Sequence, residues 1–369
     1  MSRRSLAFNF GGFPQDIRIR GPVPPLALIL EEFEALSGDR PPTFLLICDE
    51  HTLPLARTLS PLGPCCVLAS GEANKNWAAV ERIIAAAAEA GLGRDSLFIA
   101  CGGGVVSDLA GFAASVYMRG VRLCNVSTSL LGMVDAALGG KTGFDLLGLK
   151  NLAGTFYPAR LVYLPVESLR TLPPAEWKSG FAELIKTAVL DGEDFFRLLE
   201  TIPGGPEALQ DPEALEGPEG PALEEAVYRA AAYKGRIVEE DPRETGGRRA
   251  LLNLGHSFAH ALESSAGLGR ISHGEAVAWG LARSCELGLA LGITGAERAG
   301  RITALLKARG YETAAPHPLM GPSFMEALKK DKKNRGGRGV FIVPAAGGAE
   351  ILREAPAEEL LRQIVKVKS

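Results

Sequence analysis

The sequence predicts an α/β N-terminal domain built on a parallel sheet, followed by a mostly α-helical C-terminal domain. Three observations predict it. In the first half, short apolar runs alternate with helix-length segments, the signature of β-α-β units. From about Thr171 the texture changes to successive long helical patterns. The chain's 369 residues also exceed what one hydrophobic core usually serves, and 46% hydrophobic content is ample for two. The boundary falls near 174, giving domains 1–174 and 175–369.

Taken in order, 43–48, 65–69, 97–101 and 122–126 read as strands, each a short apolar run. Cys48 follows Phe44-Leu45-Leu46-Ile47, and Cys101 follows Leu97-Phe98-Ile99-Ala100, so both thiols read as small buried hydrophobes. None of the six cysteines has C-x-x-C spacing, and neither disulfides nor thiolate metal ligands are indicated. Segments 77–90 and 105–117 have helical length and composition. In the second half, 176–190, 223–239, 254–265, 275–291 and 296–309 read as helices. The stretch 203–222, rich in Pro, Gly and Glu, reads as an exposed loop.

Charge narrows the partners. A net charge of −3 with interspersed lysines and arginines offers no basic footprint for nucleic acid. No apolar run approaches the length needed to cross a bilayer, and Met1 to Phe10 is broken at once by Gly11 and Gly12, so a cytoplasmic protein is expected.

Two motifs carry chemistry. Three of the five histidines, His256, His260 and His273, crowd one short stretch. Imidazole is the commonest transition-metal ligand, and His256 and His260 lie four apart on one helical face, so they are the first candidate pair. After the strand ending at Cys101, Gly102-Gly103-Gly104 opens a helix. Glycines at such a turn let backbone amides approach a pyrophosphate at a helix N-terminus, although the pattern is not G-x-G-x-x-G. A second cluster, Gly139-Gly140-Lys141-Thr142-Gly143, fails as a P-loop because Asp135 stands where its first Gly belongs. Scattered lysines and an arginine, Lys141, Lys150, Lys186, Lys234 and Arg249, would each alone read as solvated surface. Set beside Gly-Gly, Asn151 and the histidines, they point to an anion pocket.

The ordered set Gly-Gly-Gly-Val-Val-Ser-Asp-Leu-Ala-Gly-Phe (102–112), Tyr-Met-Arg-Gly (117–120), Val-Asp-Ala-Ala-Leu-Gly-Gly-Lys-Thr-Gly (134–143), Lys-Asn-Leu-Ala-Gly (150–154), Gly-Phe-Ala-Glu-Leu-Ile-Lys (180–186), Leu-Leu-Asn-Leu-Gly-His-Ser (251–257) and His-Gly-Glu-Ala-Val (273–277) resembles the 3-dehydroquinate synthase family of sugar-phosphate cyclases, over about 49–333. The resemblance implies a Rossmann-like NAD domain, a helical metal- and substrate-binding domain, an active site in the cleft between them, and a homodimer. It makes Glu183, His256 and His273 the ligands of a zinc or cobalt ion, replacing the His256–His260 pair and setting His260 beside the substrate. Asp135 and Asn253 would hold reacting hydroxyls. Lys141, Asn151, Arg249 and one of Lys332 or Lys333 would bind phosphate and carboxylate, with Lys186 and Lys234 close by, and Arg119 would reach the neighbouring subunit's phosphate. On the cofactor side it implies Asp49, Glu72 and Lys75 for the adenosine ribose and Gly103, Gly104 and Asp108 for the pyrophosphate. Thr128, Ser129, Lys150, Thr171, Leu172 and Glu176 complete that site.

The implied reaction converts 3-deoxy-D-arabino-heptulosonate 7-phosphate to 3-dehydroquinate and phosphate with no net redox. This chain departs from the family pattern at Ser127 (Pro), Ser129 (Thr), Ala259 (Gly) and Asp145 (Asn), and doubles Arg248-Arg249. Asp145 adds a negative charge near an anion site, which is expected to weaken substrate affinity. The alternatives are a cyclase making 2-deoxy-scyllo-inosose or a valiolone, a metal-dependent polyol dehydrogenase, and a non-catalytic NAD-binding protein. The retained lysines speak against the first two and the retained Glu183, His256 and His273 against the third.

Overall fold

The computed structural model describes residues 4–39, 41, 43–202, 219–245, 247–267, 269–334, 341–352 and 354–366. The loop expected at 203–222 lies outside the described residues except for its last four, which open a helix. The chain forms two compact units, Met1–Leu172 with Leu223–Arg243, and Pro173–Ala222 with Glu244–Ser369. The helical segment 223–239, assigned by the sequence to the second domain, thus groups with the first.

The first unit carries a seven-stranded sheet. Its strands, with an intervening hairpin, are β1 (Arg4–Phe10), β2 (Phe13–Arg20), β3 (Phe44–Asp49), β4 (Cys65–Leu68), β5 (Leu97–Gly102), β6 (Arg122–Ser127), β7 (Lys141–Leu146), β8 (Leu149–Phe156) and β9 (Leu161–Pro165). The order β1-β2-β9-β6-β5-β3-β4 is parallel throughout except for the β1–β2 hairpin, while β7 and β8 pair separately. Strands β5 and β9 are buried along their whole length, as a parallel sheet covered on both faces requires. One face packs Leu46, Cys48, Ile99, Cys101, Cys124, Val126 and Tyr163 against Ile29 and Phe33 of the helix Leu26–Ser37. β1 alternates in burial and turns into β2 through Gly11 and Gly12, both at positive φ. The Phe8 ring lies where a Cβ on Gly235 would come within 2.1 Å, and the Asn9 N–H donates to Glu239 at 2.7 Å, so the helix Glu219–Glu240 is held to β1.

Among the described residues the second unit is helical apart from one short hairpin, Ile342–Ala345 with Gly348–Ile351. Its core gathers Phe258, Trp279, Leu287, Phe324, Leu328, Phe341 and Val365. Helix Pro174–Asp191 starts with proline at its first turn, where the missing N–H costs nothing, and is almost wholly buried from Trp177 to Leu190. It carries Glu183 and Lys186 into that interior. The expected helices are met closely, as Trp77–Glu89, Gly104–Val116, Pro174–Asp191, His256–Ala266, His273–Ala290 and Ala296–Ala308.

Candidate active site

In the second unit three helices meet at glycines. Gly255, at φ +82°, would place a Cβ 2.9 Å from the Leu281 nitrogen; a Cβ on Gly280 would lie 2.2 Å from the Gly255 carbonyl; and one on Gly274 would lie 2.3 Å from Ser179 Cα. Helices His256–Ala266, His273–Ala290 and Pro174–Asp191 can approach this closely only without those side chains. The entry of the second is fixed by a capping box between Ser272 and Glu275 and by the Gly274 N–H donating to Ser179 Oγ at 3.2 Å.

The contact brings Glu183, His256 and His273 together, with one ligand atom from each within 4.8 Å of the others. His256 Nε2 is 3.5 Å and His273 Nε2 3.3 Å from Glu183 Oε1. Burial opposes ionisation of Glu183, but Lys186, whose Nζ is 2.5 Å from Oε2, and the two imidazoles outweigh it and hold the carboxyl well below its ordinary range. Neither carboxylate oxygen has a hydrogen bond of acceptable geometry despite complete burial. Oε2 is neutralised by the Lys186 ammonium, whereas Oε1 faces only the two imidazole Nε2 atoms, an acceptor whose lone pairs a cation would take. One carboxylate and two imidazoles leave a coordination position open, the pattern of a catalytic rather than a structural cation site. His260 is not part of this triad. Its ring stands edge-on to His256 at a centroid distance of 5.4 Å, which corrects the pairing suggested by four-residue spacing alone.

Around the triad, Asn253 Nδ2 donates to Glu244 at 3.3 Å. Arg249 is buried while Arg248 is exposed. Thus Arg249 is the guanidinium that turns inward. Lys332 and Lys333 fall on the helix Phe324–Asn334, and their side chains lie outside the described residues. Glu176 is exposed on the first turn of its helix.

In the first unit, β3 has β4 on one side and β5 on the other, so the chain reverses its direction of winding there, the point at which open α/β sheets bind ligands. Gly103 and Gly104 follow β5 at the N-terminus of helix Gly104–Val116. A Cβ on Gly103 would come 3.0 Å from Ser129 Oγ, and one on Gly104 3.2 Å from Ala136. The turn is therefore a tight cradle at a helix N-terminus, suited to a pyrophosphate. Asp49 ends β3 and accepts the Thr52 N–H at 2.8 Å; Glu72 lies in the turn Glu72–Asn74. Thr128 and Ser129 are buried just past β6, where the Thr128 N–H donates to the Gly102 carbonyl at 3.0 Å. Thr171 Oγ1 donates to the Ser168 carbonyl, and Leu172 is buried.

Lys75 is buried, and its ammonium donates at 2.6 Å to both Asp108 and Asn151. Burial works against its charge, but Asp108, Glu72 and Asp145 raise its pKa; burial pushes the Asp108 carboxyl up to about 6 against the pull of Lys75. Asn151, at φ +52° on β8, has its N–H held by Asp145 Oδ1 at 2.8 Å. Lys234 donates to the Asp135 carboxylate at 2.7 Å and to its carbonyl at 2.6 Å. Lys141 and Lys150 are exposed on the hairpin. Sequence reasoning did not find Glu244, the bracing contact of Asp145, or Glu263 beside His273, because each is a tertiary contact with no motif of its own.

A glycine-cradled helix end at a sheet's reversal point, joined in one chain to a carboxylate–imidazole triad, is the build of the sugar-phosphate cyclases. The chain resembles the solved 2-epi-5-epi-valiolone synthase from Streptomyces hygroscopicus subsp. jinggangensis 5008, which has NAD+ and Zn2+ bound, with a TM-score of 0.82 and 26% identity over 95% of this chain and 96% of that one. It shares its fold with 2-deoxy-scyllo-inosose synthase complexed with carbaglucose-6-phosphate, NAD+ and Co2+, at a TM-score of 0.79, 22% identity, and 98% and 99% coverage. Residues 65–179 match the family model of the 3-dehydroquinate synthase N-terminal region and 180–334 that of the C-terminal region. The chain belongs to the 3-dehydroquinate synthase family. It is 38% identical to the 3-dehydroquinate synthase of Colwellia psychrerythraea over 299 residues, 81% of this chain and 82% of that protein.

Proposed function

We propose that this chain is a 3-dehydroquinate synthase, a phosphate-eliminating lyase that converts 3-deoxy-D-arabino-heptulosonate 7-phosphate to 3-dehydroquinate and phosphate in the shikimate route to aromatic amino acids. The carrying observation is the convergence of Glu183, His256 and His273, with both imidazole Nε2 atoms turned to Glu183 Oε1, in a member of this family. When bound, NAD supplies reversible hydride acceptance and zinc or cobalt supplies polarisation of the substrate's hydroxyls.

The chain's own residues do the rest. Glu183, His256 and His273 hold the cation, and Lys186 keeps Glu183 ionised for it. Gly103, Gly104 and the helix end receive the pyrophosphate, with Asp108 held in place by Lys75. Asp49, Glu72 and Lys75 serve the adenosine ribose, and Thr128, Ser129, Lys150, Thr171, Leu172 and Glu176 line the remainder. Asp135 and Asn253 orient hydroxyls, and both arrive pre-set, by Lys234 and Glu244 respectively. Lys141, Asn151, Arg249 and one of Lys332 or Lys333 bind phosphate and carboxylate, stabilising the leaving dianion by charge-assisted hydrogen bonds. Lys234 and Lys186 stand by the substrate carboxylate or hydroxyls, and His260 beside the substrate.

A cytoplasmic homodimer accompanies this reading. No helix among the described residues is long and apolar enough to cross a membrane. Leu147, Leu149, Leu152 and Phe156 of the β7–β8 hairpin are exposed, as are Val116 and Met118; Thr155 Oγ1 bonds Ser115 Oγ at 3.0 Å, so the two groups adjoin. An apolar patch of this kind marks a contact surface. Arg119 sits beside Met118 on the same turn, which supports its reading as the residue that reaches the neighbouring subunit's phosphate.

The test is phosphate release from 3-deoxy-D-arabino-heptulosonate 7-phosphate with catalytic NAD and zinc, followed together with absorbance of NADH. Phosphate release without accumulating NADH, abolished by a chelator, is expected. No release from this substrate in the loaded protein would overturn the assignment. The likeness to 2-epi-5-epi-valiolone synthase supports a second cyclase reading, which predicts turnover of a different sugar phosphate in the same assay.

A further inference from the structure

We infer that Glu263 is a positioning residue for the cation site, taking the Nδ1–H of His273 so that Nε2 keeps its lone pair for the metal; this rests on the metal-dependent reading above. The His273 ring stands between two carboxylates, with Nε2 3.3 Å from Glu183 Oε1 and Nδ1 3.5 Å from Glu263 Oε1. Neutral imidazole carries one proton, and the partner of one nitrogen decides whether the other is free to ligate. Nδ1 faces an acceptor that lies away from the triad, so the proton belongs there.

The helix explains why Glu263 is in reach. It lies seven residues, about two turns, after His256 on helix His256–Ala266, so both side chains leave the same face, the one that meets the start of helix His273–Ala290. Its side chain is 16% exposed, which keeps water from competing for the contact. His256 is held differently. Its Nδ1 is 3.2 Å from the Leu254 carbonyl, a neutral acceptor. The two imidazoles are thus oriented by unlike partners, and the carboxylate makes His273 the more basic donor.

A competing role is that Glu263 merely neutralises a protonated His273. The two roles give opposite signs. If Glu263 only stabilised the imidazolium, its removal would ease proton loss and tighten metal binding. If it orients the ring, its removal weakens binding by about 10–100-fold.

The experiment strips the full chain with a chelator and titrates Zn2+ against a chromophoric competitor for the parent, Glu263→Ala and Glu263→Gln. The affinity of Glu263→Ala is expected to fall by about 10–100-fold. Glu263→Gln should lie between it and the parent, because its amide oxygen still accepts the Nδ1–H. In zinc-loaded protein labelled with 15N-histidine, the His273 Nδ1–H should be hydrogen-bonded and slow to exchange with solvent in the parent and exchange freely in the alanine variant. Should Glu263→Ala fail to fold, the Glu263→Gln affinity and its histidine spectrum decide: parent-like affinity with a freely exchanging Nδ1–H overturns the role. Equal or tighter binding by folded Glu263→Ala overturns it as well, leaving the metal reading intact. A parent that takes up no zinc overturns both.

Discussion

The carboxylate of Asp145 accepts the backbone N–H of Asn151 at 2.8 Å, and the N–H of Asp145 donates to the Lys75 carbonyl at 2.8 Å. Read as a sequence, this residue was a stray negative charge near an anion site. In the fold it braces the hairpin at the left-handed Asn151 and adds to the charge that favours the Lys75 ammonium. An asparagine would supply the same acceptor oxygen. We therefore expect Asp145→Asn to keep kcat/KM within about threefold of the parent and Asp145→Ala to lose about tenfold, the worth of one hydrogen bond of about 1–1.5 kcal/mol. Steady-state kinetics check this, and equal losses in both variants would show that the charge matters more than the brace. Glu183, His256 and His273 were legible from the family motifs, whereas the doubled Arg248-Arg249 left two candidates that only burial separates. Asp145 was not legible, because its role is set by what the hairpin folds against.

At the scale of elements, the helix crossings decide whether the triad forms. Replacing a mid-helix glycine by alanine normally stabilises by about 0.5–1 kcal/mol. At Gly280 the sign should reverse, because the new Cβ would lie 2.2 Å from the Gly255 carbonyl, next to His256. Gly280→Ala is expected to cost about 1–3 kcal/mol. A lowered thermal midpoint together with weakened zinc binding checks it; a fall in midpoint with unchanged zinc affinity would separate the crossing from the site. The long helices could be read to within a few residues because they are helix-length runs, most of them bounded by Gly or Pro. Other elements could not. β7 begins inside Gly-Gly-Lys-Thr-Gly, where glycines mask a strand. β1 and β2 are longer than the strands that were read but interleave polar and charged residues with apolar ones, so no apolar run marks them, and the helix Glu358–Val365 is a two-turn segment near the chain's end.

For the whole molecule, the exposed hairpin leucines predict self-association through the first unit. Sedimentation velocity should give a dimer at micromolar concentration, and Leu147→Asp with Leu152→Asp should shift it to monomer, since a charge in an apolar interface must be desolvated. A monomeric parent would remove the dimer. The two-part build was legible in the change of texture near Thr171, but its continuity was not. Nothing in the composition of 223–239 distinguishes a helix that stays with its neighbours from one that returns to an earlier sheet. The pairing of Phe8 with Gly235 is what shows the return. It also sets an order of events on the ribosome. A nascent chain has all seven strands of its sheet once residue 165 has emerged, yet β1 waits for Gly235 and Glu239, and Asp135 waits for Lys234. The first unit must therefore hold an unfinished flank open while some fifty residues of the second are being made. A gene divided at the apparent domain boundary would leave it unfinished for good.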